Sequence, residues 1–272
     1  MTARGIAAVW RVEWQKLLGQ RMLRALLLTC AFGPFAFVAV MRVQSALPED
    51  TLFGRGVRDS GFATPLVVLG FAALWVLPVL ASVVGGDIFS SEDRYGTWAS
   101  ILTRACTKAE VFVAKMLAAL AFSTLAATVL GASSTAAGVL GVGVEPLVDL
   151  SGGLLESAAA IRLVALAWAS ALPVVWAFTA LAVLCSVTTR SSVVGVGVPV
   201  VAALAMQLGS YVDGSEALRR LLLTSGLDAW HGLAVEPRYL GALTASVVVS
   251  GIYLLVCSGV AYGVLMRRDI GR

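Results

Sequence analysis

The sequence predicts an all-α, polytopic membrane protein, and three observations carry this prediction. Six apolar segments are each long enough to cross a bilayer, hydrophobic residues make up 59% of the 272-residue chain, and charged residues make up only 13%. A soluble domain usually carries about 25% charged residues. A spanning helix needs about 20 mostly apolar residues, because its backbone polar groups must be satisfied within the helix. The predicted spans cover residues 23–41, 62–84, 111–142, 161–187, 193–212 and 240–266.

The distribution of basic residues predicts that both termini lie in the cytoplasm. With six spans, 13 of the 20 Lys and Arg residues fall on the side of the termini and 7 fall on the other side. Lys and Arg accumulate in cytoplasmic loops, so this ratio sets the orientation. It also accounts for the net charge of +4 without a nucleic-acid partner. We therefore expect one transmembrane domain, residues 1–272, in the plasma (bacterial inner) membrane.

Residues 4–22 are predicted to form an amphipathic helix that lies in the membrane interface. Ile6, Trp10, Trp14 and Leu17 recur at helical spacing on one face. Tryptophans with basic neighbours suit the headgroup region. Glu13 interrupts the apolar pattern. The alternative is an ordinary cytoplasmic extension of the first span.

The loop between the second and third spans, residues 87–110, is the most polar cytoplasmic stretch. Gly96 is predicted to end the helix that leaves the membrane, because glycine breaks helices. Residues 97–103 are predicted to form a short helix with a small apolar face. That face consists of Trp98, Ile101 and Leu102.

A capping box predicts where the third span begins. Thr107 and Glu110 have the T-x-x-E spacing, and the apolar run starts immediately afterwards. Lys108 and Lys115 follow within two turns, and we expect both to extend toward lipid headgroups.

The fifth span begins with small residues, and a long outer connection follows it. Gly195 and Gly197 near its start permit close contact with another helix. The outer connection, residues 213–239, is predicted to contain a short helix that dips into the outer leaflet. The pattern that indicates it is the helical spacing of Leu218, Leu221 and Leu222.

The chain has no predicted catalytic, cofactor or metal site. Its one histidine, His231, lies in the outer connection, and a G-x-x-x-x-G-K-[ST] phosphate loop is absent from the sequence. The four cysteines show no metal-binding or disulfide spacing. Polar groups within the spans are mainly Ser and Thr, with Gln207, so the carboxylates of a typical ion-coupled carrier are missing. If the protein is a transporter, we expect its energy to come from a partner.

The stretch Ser91-Glu92-Asp93-Arg94-Tyr95-Gly96-Thr97-Trp98 resembles the first cytoplasmic loop of ABC-2 type permeases, the membrane subunits of ABC exporters. The resemblance continues through Leu102-Thr103-Arg104-Ala105 and from Lys108 to Lys115. The order of elements and the basic ending Arg267-Arg268-Asp269-Ile270 are similar as well. One departure is Ala105-Cys106, where many members carry proline and a small residue.

The resemblance implies an ABC-2, type V exporter-like architecture and an ATP-driven exporter of a hydrophobic or amphipathic substrate: a drug, antibiotic, peptide or lipid. It implies a separate ABC ATPase subunit in two copies, which carries the ATP and Mg, and a second permease chain that is identical or a paralogue. The loop would couple the two kinds of subunit through Glu92, Arg94, Gly96, Thr97, Trp98, Ile101, Leu102, Arg104 and Lys108. The wall of a central cavity would include Phe71, Trp75, Met206 and Gln207.

Two other functions stay open at this point. The chain could be an ATP-independent secondary carrier for an apolar solute. It could also be a membrane protein without transport activity, such as an assembly or immunity factor.

Overall fold

A computed structural model describes residues 3–44, 51–98, 107–210, 219 and 221–269, and this part of the chain is almost entirely helical. Six helices are long and apolar enough to cross a membrane, as predicted. An N-terminal helix, Ala3–Gly19, precedes them. The spans are Arg21–Val43, Ala63–Asp87 (in three segments), Lys108–Gly141, Ser157–Thr189, Ser192–Ser210 and Gly241–Arg267. A short loop helix, Ser90–Tyr95, follows the second span, and an 11-residue 3-10 helix, Leu223–Leu233, precedes the sixth.

The six spans form an inner and an outer group. In the second, third and fourth spans, 61%, 56% and 61% of the most apolar window is buried within the chain, against 17% in each of the first, fifth and sixth. The inner three spans therefore form the core, and the outer three leave most of their apolar surface for lipid or for another chain.

The two ends of the bundle are formed by different elements. At one end, the termini end, Lys16 of the N-terminal helix and Arg268 after the sixth span bond to residues 87–98. The far end is the one where the 3-10 helix packs between the fourth, fifth and sixth spans. A two-stranded hairpin, Leu147–Val148 and Leu154–Leu155, also lies there.

The second span changes its helical pitch at its centre. It runs as an α-helix over Ala63–Phe71, as a π-helix over Ala72–Val76 and again as an α-helix over Leu77–Asp87. Pro78 has no backbone N–H, so it cannot supply the bond that the carbonyl of Leu74 would accept in an α-helix. The side-chain amide of Gln207 in the fifth span donates to that carbonyl at 2.7 Å. The irregular turn is thus stabilised across two helices.

Glycines let the second, fourth and fifth spans approach closely near the termini end. A Cβ on Gly195 would lie 2.5 Å from the carbonyl oxygen of Gly86, and a Cβ on Gly85 would lie 2.5 Å from the carbonyl oxygen of Thr179. The predicted close contact of the fifth span is confirmed at Gly195. At Gly197 nothing lies within 4 Å of the added atom.

The outer connection is helical at Arg219 and Leu221, where the leucine spacing predicted a short helix. A separate 3-10 helix, Leu223–Leu233, follows it. Trp230, Leu223 and Leu227 are buried in the core beneath it. Leu218 lies outside the described residues.

Gly195→Ala should lower the melting temperature of the purified chain, because its Cβ would overlap the backbone of Gly86. Overpacking of this kind costs about 1–3 kcal/mol, or roughly 2–4 °C per kcal/mol for a chain of this size. Gly197→Ala is the matched control, since its Cβ enters open space and alanine favours the helix. Thermal unfolding followed by size-exclusion chromatography in detergent measures both variants. Equal responses would contradict the close crossing.

Candidate functional site

Four charged side chains form an ion cluster at the termini end: Glu13, Lys16, Glu92 and Lys115. They come from the N-terminal helix, the loop helix and the third span. The Lys115 Nζ lies 2.7 Å from Glu13 Oε2 and 2.8 Å from Glu92 Oε1. The Lys16 Nζ lies 2.9 Å from Glu13 Oε1 and 2.9 Å from Glu92 Oε1. Two positive and two negative groups therefore alternate and balance.

Most of the ion cluster is removed from solvent. Lys115 is 0% exposed, and Glu13 and Glu92 are each 4% exposed. The third donor of the Lys115 ammonium is used as well, because it bonds to the carbonyl oxygen of Ile88 at 2.9 Å. A buried charge is tolerated only when it is paired and fully hydrogen-bonded, and Lys115 meets both conditions.

The rest of the ion cluster is also oriented by hydrogen bonds. The second oxygen of Glu92 accepts from the hydroxyl of Thr97, and the ring of Phe89 lies 5.7 Å from the Lys115 Nζ. Burial lowers the pKa of Lys16, but its hydrogen bonds to Glu92 and Glu13 outweigh burial and leave that pKa above its usual value. Lys16 thus stays charged and completes the balance.

A second ionic contact joins the loop to the end of the sixth span. Arg268 donates to both carboxylate oxygens of Asp93, to Oδ2 at 3.0 Å. The indole N–H of Trp98 donates to Asp93 Oδ1 at 3.1 Å, and the Arg268 guanidinium lies 5.9 Å from the Trp98 ring. Lys108 donates to the carbonyl oxygen of Arg268 at 2.5 Å. A bidentate Arg–carboxylate pair of this kind fixes orientation as well as distance.

Serine hydroxyls connect the same loop to the fourth and fifth spans. The Ser192 hydroxyl donates to Asp87 Oδ1 at 2.6 Å, and it lies 2.8 Å from the Ser90 hydroxyl. The backbone N–H of Ser90 donates to the Ser186 hydroxyl at 3.0 Å. Arg94 pairs with Asp87 at 3.0 Å on the exposed side. Residues 87–98 are therefore bonded to the N-terminal helix and to the third, fourth, fifth and sixth spans.

Two local predictions about this loop are confirmed. Gly96 has φ = +63°, a left-handed conformation that ends the loop helix at Tyr95. The capping box is formed, with Glu110 N donating to Thr107 Oγ1 at 3.2 Å and Thr107 N donating to Glu110 Oε2 at 3.1 Å. The loop thus has a defined stop on one side and a defined start on the other.

The described residues among the predicted coupling residues differ in burial. Glu92 and Trp98 are buried inside the chain, whereas Arg94 and Gly96 are exposed. Thr97 and Lys108 are half-buried. Ile101, Leu102 and Arg104, with most of the predicted helix 97–103, lie outside the described residues. Their contact with a partner stays a prediction, while Glu92 and Trp98 already have partners within the chain.

The prediction for Lys115 is wrong. We expected its ammonium to reach lipid headgroups, but it is buried between two carboxylates because Glu13 and Glu92 stand opposite it. In the sequence, Glu13 is an interruption of an apolar face. A glutamate inside one apolar pattern and a lysine inside another were the available signal, since each needs a partner of opposite charge.

The predicted wall residues lie on the second and fifth spans. Phe71 and Trp75 are exposed on the second span, and Met206 packs against the core from the fifth. Gln207 bonds to Leu74 and lines a cavity of about 160 Å³. Among the described residues no cluster of side chains could hold a metal ion.

Lys115→Met should destabilise the chain by about 3–5 kcal/mol, because two buried carboxylates would keep only Lys16. Lys108→Met in the same helix is the control; it removes a bond to a backbone carbonyl and should lose only about 1–2 kcal/mol. Unfolding by denaturant in mixed micelles measures both. The double variant Glu13→Gln/Lys115→Met should lose less than the sum of its single variants. A Lys115→Met chain as stable as the native one would contradict the ion cluster.

Comparison with known proteins gives one family. A family model described as ABC-2 family transporter protein matches residues 9–206, which is more than half of the chain. No curated protein matches it. The match includes all four residues of the ion cluster, the loop, the first four spans and most of the fifth. The chain belongs to the ABC-2 transporter family and is a multi-pass membrane permease that associates with an ABC ATPase.

Proposed function

We propose that this chain is the permease half of an ATP-driven exporter that moves a hydrophobic or amphipathic substrate across the plasma membrane. The observation that carries the proposal is the bonding of residues 87–98 to five other elements. These elements are the N-terminal helix and the third, fourth, fifth and sixth spans. A loop bonded in this way can transmit a displacement to the whole bundle.

The proposed mechanism is a rigid-body movement driven from the loop. A separate ATPase, which holds the ATP and Mg, would contact residues 87–110 and displace them when it closes. Glu92 would carry the displacement to the N-terminal helix through Lys16 and to the third span through Lys115. Asp93 would carry it to the sixth span through Arg268. Packed helices respond to small shifts by switching between discrete arrangements, which is the change that alternating access requires.

The termini end is assigned to the cytoplasm in this proposal. ATP is a cytoplasmic fuel, and 13 of the 20 Lys and Arg residues lie on that side in the six-span arrangement. The exposed Trp10 and Leu18 of the N-terminal helix would then lie in the headgroup region of the inner leaflet.

Two permease chains, identical or paralogous, would enclose the transport cavity. The first, fifth and sixth spans each bury only 17% of their most apolar window, so a single chain leaves large apolar faces uncovered. The exposed Phe71 and Trp75 of the second span would face the second chain across the cavity. Such a wall suits an apolar or amphipathic substrate. The direction of transport follows the family resemblance.

Leu102→Asp should abolish copurification of the ATPase, because a charge would enter the apolar face proposed to contact it. The test coexpresses the full chain with an ABC ATPase subunit of the same organism and measures the ratio of the two after affinity purification. Leu154→Asp, an exposed change on the far-end hairpin, is the control. Unchanged copurification of the Leu102→Asp complex would count against the contact. Absence of any copurifying ATPase would favour the secondary carrier or the assembly factor.

Arg268→Gln should reduce stimulation of ATP hydrolysis by the permease several-fold while the ATPase remains bound, because the loop would lose its bond to the sixth span. The neighbouring Arg267 is exposed, so Arg267→Gln controls for lost charge. The exchange Asp93→Arg/Arg268→Asp should restore part of the stimulation. Turnover by the reconstituted complex measures the effect. Equal turnover in the Arg268→Gln and Arg267→Gln complexes would refute the role of this contact.

A further inference from the structure

A polar cavity of about 160 Å³ lies near the far end, where the second and fifth spans meet the 3-10 helix. It differs from the larger cavity of about 620 Å³ between the third and fourth spans, whose lining is mostly alanine and other apolar residues. Five polar side chains line the smaller cavity: Gln207, Ser210, Thr224, Ser225 and Asp228.

Hydrogen bonds within the chain already use several donors of this lining. The Gln207 amide donates to the carbonyl oxygen of Leu74 at 2.7 Å. The Ser210 hydroxyl donates to the carbonyl oxygen of Gln207 at 2.6 Å, and the Ser225 hydroxyl donates to that of Arg219 at 2.8 Å. The amide oxygen of Gln207 and the lone pairs of both hydroxyls remain as acceptors. The lining is therefore rich in acceptors.

Thr224 contributes a hydroxyl group without a partner to the lining. Thr224 is 5% exposed, and its Oγ1 has no hydrogen-bond partner among the described residues. A buried hydroxyl without a partner costs about 1–3 kcal/mol, so a group that bonds to it inside the cavity would be favoured.

Asp228 supplies a negative charge at the mouth of the cavity. It is exposed in the single chain and has no ion pair with a described residue. Partial desolvation raises the pKa of its carboxyl group, although the nearby His231 opposes the rise. Burial also lowers the pKa of His231, so the neutral imidazole does not balance the carboxylate. A cation placed here would offset the cost of desolvating Asp228.

We propose that this cavity binds the protonated amine of an amphipathic substrate. The inference rests on the proposed transport function and narrows its substrate class. Asp228 provides the charge, while Thr224 and Gln207 accept N–H bonds from the ammonium group. The exposed side chain of Leu74, which lines the cavity, contacts the apolar body of the substrate. An ammonium group has three donors and no acceptor, which matches a lining with surplus acceptors.

The test measures binding of benzylamine to the full chain in lipid nanodiscs without the ATPase. Radiolabelled benzylamine in a scintillation proximity assay should bind at least about tenfold more tightly than benzyl alcohol or benzoate of the same shape, since a charge-assisted hydrogen bond contributes about 1.5–3 kcal/mol. Asp228→Asn should remove about tenfold of that affinity. Thr224→Val keeps the shape of the side chain and should weaken binding several-fold.

Asp59→Asn is the matched control, because Asp59 is an exposed carboxylate outside the cavity lining. The affinity of this variant for benzylamine should equal that of the native chain. Thermal unfolding of each variant ensures that only folded protein is compared. Equal binding of benzylamine and benzyl alcohol, or native affinity in both Asp228→Asn and Thr224→Val, would overturn the inference.

ATP-dependent uptake of labelled benzylamine into inverted vesicles of the complex separates this inference from the transport proposal. Selective binding without ATP-driven uptake would support the site and contradict the transporter function. ATP-driven movement of a neutral apolar dye, without selective amine binding, would support transport and contradict the site.

Discussion

The ammonium group of Lys115 is completely buried at the boundary between the bundle and the loop, and it is paired there with two carboxylates. Neither carboxylate belongs to its own helix: Glu13 lies in the N-terminal helix and Glu92 in the loop helix. An unpaired charge at this position would be strongly destabilising. The requirement to pair Lys115 therefore holds three separate elements together, and the contacts of Asp93 and Asp87 extend the same rigid unit to the sixth and fifth spans.

Hydrogen bonding of polar groups also shapes the far end, but there some acceptors stay unused. Pro78 leaves the carbonyl of Leu74 without its helical donor, and Gln207 supplies one from the fifth span. The cavity beside this bond retains acceptors, a carboxylate and the unpartnered hydroxyl of Thr224. One end of the bundle thus has balanced and fully bonded charges, which suits transmission of movement. The other has surplus acceptors, which suits a ligand that brings donors.

The inner spans connect these two ends of the bundle. The inner spans carry the buried contacts, including the hydroxyl pair Ser123 and Thr179 at 3.0 Å, and they run between the ion cluster and the far end. The outer spans expose apolar faces that lipid or a second chain must cover. Close crossings at Gly85 and Gly86 leave little room for bending near the loop. A displacement of the loop is therefore expected to move the inner spans as a body.

The six spans, the stop at Gly96 and the start at Thr107 could be predicted from the sequence, because length, glycine conformation and capping are local properties of the chain. The partners of charged and polar groups, in contrast, became known only from the folded chain. Lys115 and Glu13 are separated by 102 positions, and periodicity within one helix carries no information about the charge that faces it from another. The same reason explains why Trp98 turned out to be buried. It also explains why the 3-10 helix Leu223–Leu233, which packs between three spans, was not predicted.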